Sequence, residues 1–167
     1  MKKLTAVDLA ALVIWLIPIV YLLYIYRSLP ETVPMHYDAH GVVNSYGSKS
    51  KFLLAVLSFS GVGLLVYLLL RFLPAIDPKK KVKLGETTFM KIALGVMVFI
   101  SGLGLVIIYA TLHRGFQLQK LLFPMMGLFL AFLGNLMHSV KPNYFVGIRT
   151  PWTLEDEDTW RATHQLA

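Results

Sequence analysis

Residues 7–26, 52–73, 89–112 and 121–140 are each about twenty or more residues of nearly unbroken apolar side chains. A helix rising 1.5 Å per residue needs about 20 such residues to cross roughly 30 Å of hydrocarbon. Lipid leaves no water to satisfy backbone groups, so only helices or closed barrels span it, and continuous apolar runs without period-two alternation exclude the barrel. The expected fold is an all-α, polytopic transmembrane bundle of four spanning helices, with an ordered extracytoplasmic loop and a C-terminal cytoplasmic interfacial segment.

Composition points the same way. Of 167 residues, 56% are apolar and 15% charged, against roughly 45–50% and 25% in soluble chains. An ordinary soluble enzyme and a disordered chain are excluded, and the net charge of +7 reads as membrane topology rather than as nucleic-acid binding. With no cysteine, disulfides, thiolate zinc sites and thiol nucleophiles are absent. Lys2 and Lys3 precede a first apolar run that is too long for a signal-peptide core and lacks a small-residue cleavage site, so it reads as a span.

Orientation follows the excess of Lys and Arg on the cytoplasmic side. The N-terminus, the 71–91 connection and the tail carry eleven basic residues, against five (Arg27, Lys49, Lys51, Arg114 and Lys120) in the alternate connections. Both termini are therefore expected in the cytoplasm, and the lysine run at 79–83 reads as a topology anchor facing anionic lipid. The expected organisation is an N-terminal helix pair (1–75) with its loop at 28–51, a basic cytoplasmic connection (76–91), and a half containing helices three and four and the C-terminal segment (92–167). Pro18 is expected to kink the first helix. In the fourth, Gly127, Ala131 and Asn135 share one face that Gly134 and His138 nearly continue. Small residues permit close approach and an amide in lipid needs a partner, so this face is expected to point into the bundle, with Asn135 and His138 as interhelical hydrogen-bonders.

Two polar segments hold the remaining signal. In the external loop, Pro30 and Pro34 bias the chain toward extended backbone. His36, Asp38 and His40 would then share one strand face, a weak candidate zinc site against the simpler reading of a capped loop. On the other side, Pro142 stops the fourth helix, and Asn143, Tyr144, Phe145, Ile148 and Trp152 surround Arg149, the one charge between Asn143 and Leu154. That guanidinium suits either helix-end carbonyls or a phosphate or carboxylate. Thr153 followed by Glu155 and Asp156 is expected to cap a helix running through Trp160 toward His164.

The pattern Leu29-Pro30-x-x-Val33-Pro34-x-His36, with Gly41 and Lys49, resembles the small domain of unknown function found at the N-terminus of SdpI-like membrane proteins. The run Gly134-Asn135, then Lys141-Pro142-Asn143-Tyr144-Phe145-x-Gly147-Ile148-Arg149-Thr150-Pro151-Trp152-Thr153-Leu154, Trp160 and Thr163-His164, resembles the signature of the SdpI family itself. His36 matches the loop pattern; His40 does not. The resemblance implies a multi-pass protein of the bacterial plasma membrane. The family's namesake confers immunity on a toxin-producing cell, acts as a receptor for the secreted toxin, and holds a transcriptional autorepressor at the membrane. It also continues into further spans beyond the region where this sequence ends at Ala167.

The leading expectation is thus a non-enzymatic immunity or toxin-resistance protein. It would have no resident cofactor, zinc being the weak exception. Its partners would be membrane lipid, a secreted toxin peptide outside, a repressor inside and a second copy of itself, with no direct nucleic-acid contact. His36, Asp38, Asn135, His138, Asn143, Arg149 and Trp152 are the candidate ligand- or partner-binding residues. The alternative is a membrane-embedded enzyme or metal-dependent hydrolase acting on a lipid or envelope substrate, though no HExxH, intramembrane acid pair or activated nucleophile motif is present. A transporter or channel is disfavoured because almost no charge lies within the spans.

Overall fold

The computed structural model describes residues 4–38, 40–76, 86–113 and 115–165. Helix α1 (Ala6–Ile25) leads through a 3-10 turn into the hairpin of β1 (Thr32–Tyr37) and β2 (Val43–Ser48); α2 (Lys49–Ile76), α3 (Glu86–Leu112) and α4 (Gln119–Met137) follow, then the short helices α5 (Pro151–Glu155) and α6 (Glu157–Gln165). Helices α1 to α4 are each long and apolar enough to cross a membrane, so the four-span all-α bundle expected from the apolar runs is present. The lysine run at 79–83 lies outside the described residues. Glu86 and Lys91, expected in the basic connection, belong to α3.

Helix α3 is the hub, with α1, α2 and α4 all packed on it. Ala11, Tyr67, Ala93 and Met97 join α1, α2 and α3 in one buried cluster. Pro18 is buried within an unbroken α1 and lies against Gly104 of α3, where an added Cβ would sit 3.5 Å from the proline ring. Across the same bundle the Trp15 indole donates to the Ser60 carbonyl at 3.0 Å.

At one end a polar knot ties α1 to α2. Thr5 and Asp8 form a capping box, the Thr5 hydroxyl accepting from the Asp8 amide and the Asp8 carboxylate accepting from the Thr5 amide at 2.8 Å. Arg71 then donates to both Asp8 oxygens, Nε at 2.8 Å and Nη2 at 3.1 Å, and the Tyr67 hydroxyl donates to Asp8 at 2.7 Å. The two charged side chains are 8% and 9% exposed. Such a fork is geometrically specific, and burial makes an unpaired partner costly.

Helix α4 is turned opposite to expectation. Phe129 stacks on Phe99 of α3 with ring centroids 4.2 Å apart, and the Phe132 ring lies so close to Gly95 that an added Cβ would come within 2.1 Å. Gly127, Ala131, Asn135 and His138 consequently face outward and are exposed. His138 reaches only the neighbouring Ser139 hydroxyl, at 3.0 Å. The large side chains at 125, 129, 132 and 136 offer more dispersion contact to α3 than the small-residue face does, and in lipid that contact is what drives helix association.

At the other end the hairpin roofs the bundle. Its strands pair antiparallel from Thr32 opposite Ser48 to Tyr37 opposite Val43, with irregularities on either side of His36. Val33 is fully buried in a cluster with Leu22, Leu29, Phe52, Val56 and Ile108. Lys49, at the start of α2, pairs with Glu31 at 2.8 Å and lies over the Tyr26 ring.

Breaking the Asp8–Arg71 fork from one side deprives a buried guanidinium of its carboxylate. Asp8→Leu should destabilise the bundle by about 3 kcal/mol, whereas Asp8→Leu combined with Arg71→Met should recover most of that loss. Denaturant titration of the detergent-solubilised protein, followed by circular dichroism, reads both.

Candidate functional site: a roofed cavity and a C-terminal platform

The turn of the hairpin is built by Asp38. Its Oδ1 accepts from the His40 amide at 2.8 Å and the Val42 amide at 2.9 Å, while its backbone carbonyl accepts from Gly41 at 3.0 Å. His36 points elsewhere, its Nδ1–H donating to Asn44 Oδ1 at 2.7 Å, and His40 is exposed at the turn. The carboxylate needed for a His36–Asp38–His40 metal site is thus engaged by backbone amides, and no group of three such side chains is placed to hold a metal among the described residues. Asp38 caps the loop backbone as the simpler reading has it, whereas His36 bonds the Asn44 side chain rather than backbone.

Gly41 has φ +76°, and a Cβ there would strike the Gln119 side chain at 2.0 Å. Only glycine meets both demands. The approach lets Gln119 Nε2 donate to the His40 carbonyl at 2.7 Å, pinning the hairpin tip to the start of α4. Beneath the roof, α2, α3 and α4 enclose a cavity of about 620 Å³ with walls that include Phe52, Ala55, Phe59, Ile107, Leu122 and Phe123. Its polar groups, His36, Tyr37, Asp38 and Gln119, all lie at the hairpin end. Tyr37 and Gln119 also border a second, more polar chamber of about 670 Å³ between the hairpin and the α3–α4 connection. At this partition the Tyr37 hydroxyl is buried near the Thr111 hydroxyl, and Gln119 Oε1 is buried with no hydrogen-bond partner among the described residues. Burial pushes the Tyr37 phenol above its ordinary pKa, because the phenolate would be poorly solvated there.

The opposite end carries the C-terminal platform. Asn143, 1% exposed, folds the chain after α4 around its own amide: Nδ2 donates to the carbonyls of Lys141 (2.8 Å) and Val146 (3.0 Å), and Oδ1 accepts from the amides of Phe145 (2.7 Å) and Val146 (2.8 Å). All four hydrogen-bonding positions of the amide are filled. Trp160 is buried among Ile92, Leu136 and Val140 and donates its indole N–H to the Val140 carbonyl at 2.8 Å. His164 stacks on Trp160 with ring centroids 4.1 Å apart. Its Nε2 accepts from the Ile148 amide at 2.8 Å and its Nδ1–H donates to the Trp160 carbonyl at 2.8 Å. That pattern assigns the neutral Nδ1–H tautomer. Gly147, at φ +116°, passes so near that a Cβ would lie 2.5 Å from His164 Nε2.

The tail helices are organised differently from the expectation. Thr150, not Thr153, caps α5, with Pro151 in its first turn, and Thr153 sits at N3 of the resulting capping box. The chain breaks at Asp156, whose carboxylate accepts from the Thr159 amide at 2.8 Å and caps α6. Arg149 meets no helix-end carbonyl; its Nη1 donates to the carbonyl of Tyr144 in the loop, at 2.6 Å, and its side chain is exposed. Tyr144, Phe145, Ile148 and Trp152 are exposed around it. The polar frame of this segment therefore faces inward, while its aromatics and its one cation face out.

Of the residues singled out from the sequence, Asn143, Arg149 and Trp152 come together on the platform. His36 and Asp38 lie in the hairpin, and Asn135 and His138 lie on the outer face of α4. Sequence reasoning missed Gln119, Tyr37 and the Asp8–Arg71 pair. A glutamine at the head of an apolar run and an acid two residues into another were the available signals.

A helical membrane protein with a roofed cavity at one end and a folded C-terminal platform at the other is the class these features define. A family model for the domain of unknown function DUF1648 matches residues 13–59, which take in the later part of α1, the hairpin and the start of α2. The SdpI/YfhL protein family model matches residues 139–167, the platform. The immunity protein SdpI of Bacillus subtilis (strain 168) is 44% identical over 41 residues, a match covering 25% of this chain and 20% of that protein. The aligned region thus spans about a fifth of that relative's length. No solved structure matches the chain. The two segments and the partial relative agree in their likeness to SdpI-like proteins.

The Asp156 carboxylate is held below its usual pKa by its hydrogen bonds from Thr159. A depressed carboxylate stabilises the fold above the unfolded-state pKa and loses that contribution as pH falls through the lowered value. The Thr159 amide resonance should therefore shift in one step at acid pH, below the normal aspartate range. In Asp156→Asn that step should vanish.

Proposed function

We propose that the chain is an immunity or toxin-resistance protein of the bacterial plasma membrane, with both termini in the cytoplasm. The hairpin would meet a secreted antimicrobial peptide outside, and the platform would hold a partner protein, such as a repressor, inside. The observation that carries this reading is the platform. The segment matched by the SdpI/YfhL family model uses Asn143, Trp160 and His164 to fix its backbone and leaves Tyr144, Phe145, Ile148, Arg149 and Trp152 presented on the surface.

Exposed aromatics around one arginine are the composition favoured at protein-binding hot spots. The partial likeness to a protein named for immunity supports the same reading, as does the eleven-to-five split of basic residues between the two ends. At the hairpin, Val42 and Tyr46 are 61% and 63% exposed, apolar side chains suited to meeting an amphipathic peptide. For capture outside to change the platform inside, the ligand must bind one arrangement of the bundle more tightly than another.

Expression of the chain in a toxin-sensitive bacterium should raise survival on challenge with the peptide toxin. His36→Ala should reduce the protection, and Arg149→Ala should leave protection intact while abolishing recruitment of the inner partner. No protection by the wild-type chain at normal membrane levels would refute the immunity reading.

A further inference from the structure

We infer that the groove along the outer seam of α3 and α4 seats one anionic phospholipid, its phosphate at Lys91 and Asn135 and an acyl chain lying between the helices. The groove holds about 510 Å³, within the roughly 300–1,000 Å³ usual for ligand sites. Its walls are apolar, Leu94, Val98 and Phe99 of α3 facing Met125, Leu128 and Phe132 of α4. Lys91 is the one charged or hydrogen-bonding side chain that lines it among the described residues. The walls select a hydrocarbon chain, and the ammonium selects a head with net negative charge. No acid lines the groove among the described residues, so the ammonium of a zwitterionic head would find no counter-charge there.

Length and depth agree with a lipid of one leaflet. Helix α3 lines the groove from Lys91 to Gly102, a stretch of about 16 Å at 1.5 Å per residue, and one leaflet contributes about half of a hydrocarbon core of roughly 30 Å. Lys91 stands in the second turn of α3, beside Ile92, which packs with Trp160 of the platform. The charged end therefore lies at the membrane margin and the groove runs inward to mid-span. A lysine that merely snorkels needs no groove aligned with it, whereas Lys91, Gly95, Val98 and Gly102 form one stripe at helical spacing. Phe132 lies over Gly95 and Met125 over Gly102, so the helices are antiparallel. One turn outward from the Gly95–Phe132 contact, Lys91 on α3 and Asn135 on α4 come to the same end. Asn135 is exposed, and neither side chain has a hydrogen-bond or ion-pair partner among the described residues. An ammonium and a carboxamide N–H are both donors suited to phosphate oxygens, and an amide in a spanning helix needs such a partner.

This inference is independent of the immunity reading, since lipid retention is measured with no toxin or partner protein present. The full chain is reconstituted into nanodiscs of phosphatidylethanolamine and phosphatidylglycerol in equal parts, and the lipid retained after release is counted by native mass spectrometry. The wild-type chain should retain phosphatidylglycerol in preference to phosphatidylethanolamine. Lys91→Gln should lower that ratio about fivefold, although the lysine run at 79–83 is unchanged, and adding Asn135→Leu should abolish the preference. Lys91→Arg should keep it. Val98 is exposed and lines the groove, so Val98→Trp should fill the space and abolish retention. Equal retention of the two lipids by the wild type, a preference that survives the double substitution, retention unchanged by Val98→Trp, or release of a lipid-free dimer joined through α4 would overturn the proposal. If Val98→Trp fails to fold, as judged by circular dichroism, the Lys91 series still decides it.

Discussion

Apolar helices dissolved in lipid gain little by hiding apolar surface from one another, so close packing and a few buried polar ties must decide how they assemble. In this chain the ties sit at the ends. Asp8, Arg71 and Tyr67 lock α1 to α2, Trp160 and His164 lock the tail to the base of the bundle, and Gln119 locks the hairpin to α4. Between these ends the Trp15–Ser60 hydrogen bond is joined by contacts of shape: Pro18 over Gly104 and Phe132 over Gly95. The middle of the bundle therefore carries few directional constraints. The two ends are each rigidly organised.

That division accounts for where the chemistry lies. A hairpin in water could not hold its register on one buried valine, but seated on Leu22, Phe52 and Ile108 it becomes a roof. Roofing α2, α3 and α4 closes one end of the cavity, and the close pass of Gln119 over Gly41 ties the hairpin tip to α4. At the opposite end the same logic runs in reverse. Asn143 satisfies the local backbone, and Tyr144, Phe145 and Trp152 stand partly exposed around Arg149.

The spans were legible because twenty apolar residues in a row have few other solutions, and the observed helices differ from the apolar runs by only a few residues at either end. The C-terminal platform was legible as a segment but not as a fold. Thr153 looks like a cap beside Glu155 and Asp156, yet Thr150 stands just before Pro151, which suits the first turn of a helix, and the helix breaks at Asp156. The facing of α4 was misjudged for a reason of scale: glycine spacing is conspicuous in a sequence, whereas the stacking of Phe129 on Phe99 depends on where α3 lies. Tyr37 and Gln119 were invisible as a pair, since 82 positions separate them and only the hairpin brings them together.

The account rests on the hairpin and the platform lying on opposite sides of one membrane. The chain has no cysteine, so single cysteines can be placed at will. In intact cells, a membrane-impermeant maleimide should label Ser45→Cys in the hairpin directly and Asp158→Cys in α6 only after permeabilisation. Labelling of both positions from the same side would contradict it.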